Sequence, residues 1–429
     1  MAKKIDPHEM MTAALILRSK EVSVNSLNSN LEDNTVELVN KLASVAEEVG
    51  GGTGGQGFFS EVDDTRIPKY KDLAKAISIS NYVLEQLPNG AKIENVWQTG
   101  RGWSDEITRF NPTTGTMKNY NSSDIVLKIE TKGKNEATHF WGISLKKRGA
   151  KEGNPTMLNK PVVGPVGFLT GRLTSTVLNK IDTDKEKFFR QALNIATGGT
   201  YKNKDITKFS MSEVLKACDQ IFHGKMKFKR DMLTGSGIFG KTKTNPKGNP
   251  NIYFKAMDKA FMDYVNNKKN SKKFFEEFFD LIFKINLDTY INDAAFHFSL
   301  ITGTGDFNIP RQQMEVHDAQ EYEGRLTSEI FREMFKDPDH ASFVLKRQEG
   351  PKKLHAWQKG ATAAKLFYEM VVGQGTDAVS IVDLEVRYKG HLTTEPQFQV
   401  FVNKVRQNGF HKKYSQVAKE VKLGDRRWK

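Results

Sequence analysis

Asp124 and Lys146 are the residues whose types and setting most directly suggest chemistry. The segment 124–130 reads DIVLKIE and the segment 139–146 reads HFWGISLK, two strand-like runs separated by a polar turn at 131–137. Paired as a hairpin, they place an acid at the start of one strand and a lysine at the end of its partner. An antiparallel register then brings both side chains to the same end of the sheet. A hard divalent cation needs carboxylate and carbonyl oxygens and keeps several waters. A nearby ammonium can orient or help deprotonate an attacking water and stabilise charge developing on a phosphate. The bland alternative is an edge hairpin with solvated charges at its ends, where an exposed pair adds little stability.

The D…SxK layout, carried by DIVLKI and GISLK, resembles the PD-(D/E)xK, or restriction-endonuclease-like, nuclease superfamily, in the variant with serine at the second acidic position. The resemblance covers about residues 70–150. It implies an α/β (mixed α+β) fold whose core is a central mixed β-sheet flanked by helices. It also implies a metal-dependent endonuclease that uses Mg2+ or Mn2+. Asp124 matches the metal-binding aspartate and Lys146 the catalytic lysine. Ser144 falls on the second acidic position, where its hydroxyl would hydrogen-bond metal-bound water or complete the metal's shell. Because a hydroxyl is a poorer ligand than a carboxylate, another acid should join the site, and the family often takes one from the helix before the first strand. Glu85 is the available residue on that helix, near its C-terminal end, so Asp124 and Glu85 form the expected metal pair. Glu9 and Glu61 are rivals, and Asp105 or Glu106 could contribute from a loop. With no such acid, the site would bind DNA without cutting it. The surrounding composition is similar to that of phage or mobile-element proteins.

Other motifs carry less. Gly235–Thr242 matches GxxxxGK[ST], a pattern that holds phosphates only between a buried strand and a helix. Here the approach, KMKFKRDMLT, is highly charged, and Pro246 and Pro250 bar a long exit helix. A flexible basic loop is the better reading. His8-Glu9 opens like HExxH, but position 12 is Thr. His317-Asp318 with Glu321 and Glu323 reads as a solvated turn before it reads as a metal site. No GxSxG elbow supports a hydrolase triad.

The elements that must position Asp124 and Lys146 follow from periodicity. Residues 7–18, 35–49 and 70–87 read as helices, the last closed by Pro88-Asn89-Gly90, with a strand near 92–98 before the hairpin. Between about 165 and 300 the pattern is mainly helical, at 183–196, 210–222, 252–267 and the Phe-rich 271–285. Residues 379–388 and 397–402 read as two strands around Lys389-Gly390, with Glu385, Arg387 and Lys389 on one face, a ribbon that could follow a phosphate backbone. The expected organisation is a helical segment at 1–49, a Gly-rich linker at 50–57, a nuclease-like core at 58–170, a mainly helical region at 171–375, and a strand pair with basic tail at 376–429.

The chain has 429 residues, about two to three domains by size. Its 65 Lys+Arg against 51 Asp+Glu give a net charge of +14, which favours a polyanionic partner, DNA first. Cys218 is the single cysteine, which excludes an internal disulfide framework and a multi-cysteine zinc site. No apolar run approaches a membrane span, and the expected location is cytoplasmic, in the host if the chain is viral. A nuclease making a double-strand break with one site per chain would act as a symmetric homodimer. The rival readings are a non-catalytic nucleic-acid-binding protein, a viral structural or assembly protein, and a nucleotide hydrolase using Gly235–Thr242.

Overall fold

The computed structural model describes residues 6–45, 67–100, 102–111, 121–132, 136–148, 158–164, 167–222, 252–267, 270, 293–336, 343–347, 365–372, 379–387, 397–401 and 409–428. In chain order its helices are α1 (Pro7–Leu17), α2 (Val24–Ser29), α3 (Leu31–Val45), α4 (Ile67–Glu85), α5 (Ser175–Thr197), α6 (Met211–Phe222), α7 (Ile252–Val265), α8 (Gly324–Lys336), α9 (Gly409–Glu420) and α10 (Leu423–Arg427). Its strands are β1 (Lys92–Gln98), β2 (Ile125–Thr131), β3 (Ala137–Arg148), β4 (Leu158–Pro161), β5 (Thr200–Tyr201), β6 (Lys204–Asp205), β7 (Phe296–Asn308), β8 (Gln313–Glu323), β9 (Phe343–Arg347), β10 (Lys365–Val372), β11 (Val379–Arg387) and β12 (Gln397–Phe401).

The chain forms two interleaved units. The first joins Met1–Pro155, Phe279–Lys336 and Phe410–Lys429; the second joins Thr156–Phe278 and Asp337–Gly409. This replaces the linear division expected from composition, because the first unit is completed by strands far along the chain. Its sheet has the order β1-β2-β3-β7-β8. Only β3 and β7 run parallel, so the sheet is mixed.

Period-two alternation gives that sheet two apolar faces. Trp141, Ile143 and Leu145 of β3, with Ile125, Leu127 and Ile129 of β2, share one core with α1, α3 and α4. On the other face Phe110 stacks on Phe296 and packs against Phe140, while Tyr322 meets Phe410 and Tyr414 of α9. Helix α1 starts cleanly: Asp6 accepts a hydrogen bond from the His8 N–H, and Pro7 occupies the first turn. Met10, Met11 and Ala13 to Ile16 are all buried, so this helix has no solvent face over that stretch. Helix α4 lies close on β7. A Cβ at Gly303 would come within 2.2 Å of the Lys75 carbonyl oxygen, an approach that only glycine permits.

Two buried polar groups cross this core. Arg427 pairs with Glu321, which also accepts hydrogen bonds from Tyr82 and Ser299. His297 lies 3.3 Å from His139, nitrogen to nitrogen, with the Trp428 ring beside both. Burial first, then the charges of Arg325 and Arg427 and the neighbouring His139, push the His297 imidazole from 6.5 down to about 2. The unfolded chain therefore takes up a proton below about pH 6.5 that the folded chain refuses. The stability this represents is complete above that pH and falls as the pH drops toward the folded value. Between pH 7.5 and pH 5, His297→Gln should lose about 2 kcal/mol less stability than the wild type. Urea unfolding at the two pH values measures this, since a lost hydrogen bond subtracts equally at both. Equal losses would place the acid sensitivity elsewhere.

The second unit is built on an antiparallel sheet of order β4-β12-β11-β10-β9. Tyr368 of β10 donates to Asp258 of α7 at 2.9 Å and meets Phe261 edge-on. Strand β11 pairs on both sides, so the expected two-stranded ribbon is an interior part of a sheet. The region 171–375, expected to be mainly helical, also contains β7, β8, β9 and β10. Burial pushes the Cys218 thiol up to about 12, which leaves it a buried core residue. The Gly-rich run 50–57, the loop Gly235–Thr242, the Phe-rich stretch 271–285 and Glu61 lie outside the described residues. Among the described residues no helix is long and apolar enough to cross a membrane.

Candidate active site

The hairpin of β2 and β3 delivers Asp124, Ser144 and Lys146 to one place. Ile125 pairs with Ile143, and the Asp124 N–H donates to the Ile143 carbonyl at 2.8 Å, so Asp124 sits directly across from Ser144 and Leu145. Its Oδ2 accepts from the Leu145 N–H at 2.7 Å and from the Ser144 hydroxyl at 3.3 Å. The Lys146 ammonium donates to Ser144 Oγ at 2.9 Å and to the Leu145 carbonyl at 3.2 Å. It stands 3.9 Å from Asp124 Oδ2, a long ion pair at a partly open position. Ser144 thus bridges acid and lysine through one hydroxyl, and it is buried while they are not.

A second carboxylate arrives from α1. Gln98, the last residue of β1, pairs with Ile125 and turns its buried side chain toward α1. Its amide nitrogen donates to Glu9 Oε2 at 2.6 Å. Burial first, and the charge of Asp124 next, push the Glu9 carboxyl up to about 7, against the Gln98 hydrogen bond. Lys146 acts on Glu9 in the opposite direction. Two acids and one ammonium therefore share a local field, although α1 and β3 are far apart in the chain.

The start of α1 is pinned at the same end of the sheet. Lys147 donates to both carboxylate oxygens of Asp6 at 3.1 Å and lies 3.8 Å from Asp72 of α4. His8 is buried between these groups. Burial, then Lys147, push its imidazole down to about 3, with Lys75 and Lys146 adding to the effect. It is therefore neutral near pH 7, and its Nε2 has no hydrogen-bond partner.

Compared with protein-family models, with curated proteins and with solved structures, the chain shows no match.

Of the four residues expected from the sequence, three converge and Glu85 does not. Glu85 ends α4, on the order of 20 Å of helical rise beyond Asp72. Burial and the charges of Glu21 and Asp318 raise its carboxyl. The correction is geometric: α4 meets the site with its N-terminal half, and its last turn points to another part of the unit. Glu106 pairs with Lys128 at 2.7 Å, and Asp105 is exposed in a turn. Glu9, a rival on sequence grounds, is the acid that lies with Asp124. Nothing in the sequence pattern singles out Gln98, Asp6 or Asp72 for this site. Glu321 and Glu323, read as part of a solvated turn, are buried in β8, while His317 and Asp318 are exposed.

Among the described residues no group of three or more His, Cys, Asp or Glu side chains has the arrangement of a full metal shell. A site with fewer protein carboxylates still suits magnesium, which is bound through one or two carboxylates and retains waters. The donors present are the carboxylates of Glu9 and Asp124 and the Ser144 hydroxyl, with the Gln98 amide holding Glu9. The Gln98 Oε1 beside them is buried and has no partner. An all-oxygen set with two mutually repelling carboxylates and an orphaned acceptor fits a hard cation.

Proposed function

We propose that the first unit is a metal-dependent nuclease that hydrolyses phosphodiester bonds, with DNA as its first substrate. The observation that carries this reading is the meeting of Glu9, Asp124, Ser144 and Lys146 at one end of a mixed sheet. The restriction-endonuclease-like core belongs to the same reading. It is supported by the antiparallel β2–β3 pair and by helices on both faces of the sheet.

Glu9 and Asp124 would hold Mg2+ or Mn2+. When bound, the cation supplies positive charge to the phosphate and lowers the pKa of water. The rest falls to the chain's own groups. Lys146 places an ammonium within reach of a water or a phosphate oxygen, held by Ser144 Oγ and the Leu145 carbonyl. The backbone N–H of Leu145 fixes the Asp124 carboxylate through Oδ2. Lys147 and Lys75, near the same end of the sheet, add to the attraction for a polyanion.

Plasmid, single-stranded DNA and RNA, incubated with magnesium, manganese or EDTA, test the proposal. Cleavage should require the metal and should disappear in a folded Asp124→Ala variant. Cutting that persists in EDTA and in that variant rejects it. Salt-sensitive binding without cutting would favour the non-catalytic nucleic-acid-binding reading.

A further inference from the structure

The last residue of β1 contributes more than packing. Gln98 is buried on the face of β1 that meets α1, and its amide nitrogen lies 2.6 Å from Glu9 Oε2. The backbone clamps it from behind. A Cβ at Gly100 would come within 2.4 Å of the Gln98 amide nitrogen, so glycine there leaves the space that the amide occupies. Its register partner, Ile125, follows Asp124 directly, and the Thr99 N–H donates to the Asp124 carbonyl at 3.0 Å. One short segment of backbone therefore sets the Asp124 main chain and the Glu9 side chain together. The amide orientation leaves Oε1 without a partner in a buried setting. A glutamine whose role was only structural would be expected to satisfy both ends of its amide. Here the donor end is committed to an acid and the acceptor end is left over.

We propose that Gln98 is a positioning residue that holds the Glu9 carboxylate beside Asp124, so that the two acids can take one divalent cation. This rests on the metal-dependent reading above. The amide acts through Glu9: it supplies the hydrogen bond that fixes the rotamer of an acid on a separate helix. Removing such a partner of a metal-binding group typically weakens metal affinity by about 10-fold or more.

The test uses the full chain and Mn2+ as the probe, with binding followed by calorimetry and by the electron paramagnetic resonance of free Mn2+. Gln98→Met keeps the length of the side chain and removes the donor. It should weaken Mn2+ binding about 10-fold while leaving the unfolding temperature in EDTA close to that of the wild type. Cleavage by this variant should recover at high metal concentration, moving the metal requirement and not the maximal rate. In a Glu9→Gln background the same substitution should have no further effect on Mn2+ binding, because a residue that acts only through Glu9 has nothing left to position. Should Gln98→Met not fold, Gln98→Leu also removes the donor without adding a carboxylate and should weaken Mn2+ binding in the same direction. Mn2+ binding that depends on Asp124 but is unchanged in the Gln98 variants overturns this inference and leaves the nuclease reading in place. A wild type that neither binds Mn2+ nor cuts overturns both.

Discussion

Replacing Lys146 by methionine is expected to lower metal-dependent cleavage by about a thousandfold while the chain stays folded. The lysine makes its hydrogen bonds to Ser144 Oγ and to the Leu145 carbonyl, and its distance of 3.9 Å from Asp124 is too long for a strong ion pair. Its side chain is 23% exposed and that of Asp124 is 29% exposed, so deleting the ammonium strands no buried charge. Asp124 also keeps its hydrogen bond from the Leu145 N–H. The stability cost should therefore remain within about 1 kcal/mol, as for other partly exposed pairs. An ammonium with so little structural work, directly after the buried run His139–Leu145, is placed for something outside the fold. Initial rates at saturating magnesium, beside urea unfolding and binding to uncut DNA, separate the possibilities. A rate within about tenfold of the wild type would fall short of general acid–base or electrostatic participation and would remove Lys146 from the mechanism. Lys146→Arg should recover only part of the rate, because a planar fork does not reproduce a compact ammonium between a hydroxyl and a carbonyl.

The strands that carry the site were legible because their determinants are local. DIVLKIE and HFWGISLK have strand composition, a short polar connection and a register set by burial on both faces. β1, expected near 92–98, spans those residues. What escaped the sequence is the other half of the sheet. β7, FHFSLITGTGDFN, alternates apolar and polar residues only from Phe296 to Leu300 before Ile301, Gly303 and Gly305 break the pattern, and so short an alternation is a weak strand signal. Its partner β3 lies about 150 residues earlier, and a parallel pair carries no hairpin signal because its connection is a crossover. Here that crossover includes much of the second unit.

The same distinction explains the acids. Glu85 lay on the helix that the family pattern favours, but helical position alone does not say which end of α4 meets the sheet. Glu9 carries a local signal. Most of α1 after its first turn is buried, from Met10 to Ile16, and an acid at the head of such a helix requires an internal partner. Asp6-Pro7 marked where the helix begins. No pattern in the sequence pointed to Gln98 as the partner, since that contact joins α1 to the end of β1.

At the far end of the same unit, Arg427→Met should destabilise the fold by about 3–5 kcal/mol. The Arg427 side chain is inaccessible, as is Glu321 beside it. The guanidinium carbon lies 4.0 Å above the Trp141 ring, and Trp141 in turn donates to Ser299 at 2.9 Å. Glu321 accepts from the Tyr82 hydroxyl at 2.7 Å and from Ser299. Without the arginine it would be a buried carboxylate with two hydroxyl donors and no counter-charge. That uncompensated charge dominates the expected cost, because methionine restores much of the lost contact with Trp141. Urea unfolding followed by tryptophan fluorescence measures it. The double variant Arg427→Met with Glu321→Gln removes both charges and should recover most of the loss, since a buried ion pair replaced as a whole costs far less than one broken in half. If the double variant is no more stable than the single one, the cost comes from packing over Trp141. In that case α10 is held to β3 by stacking, and the ion pair adds little.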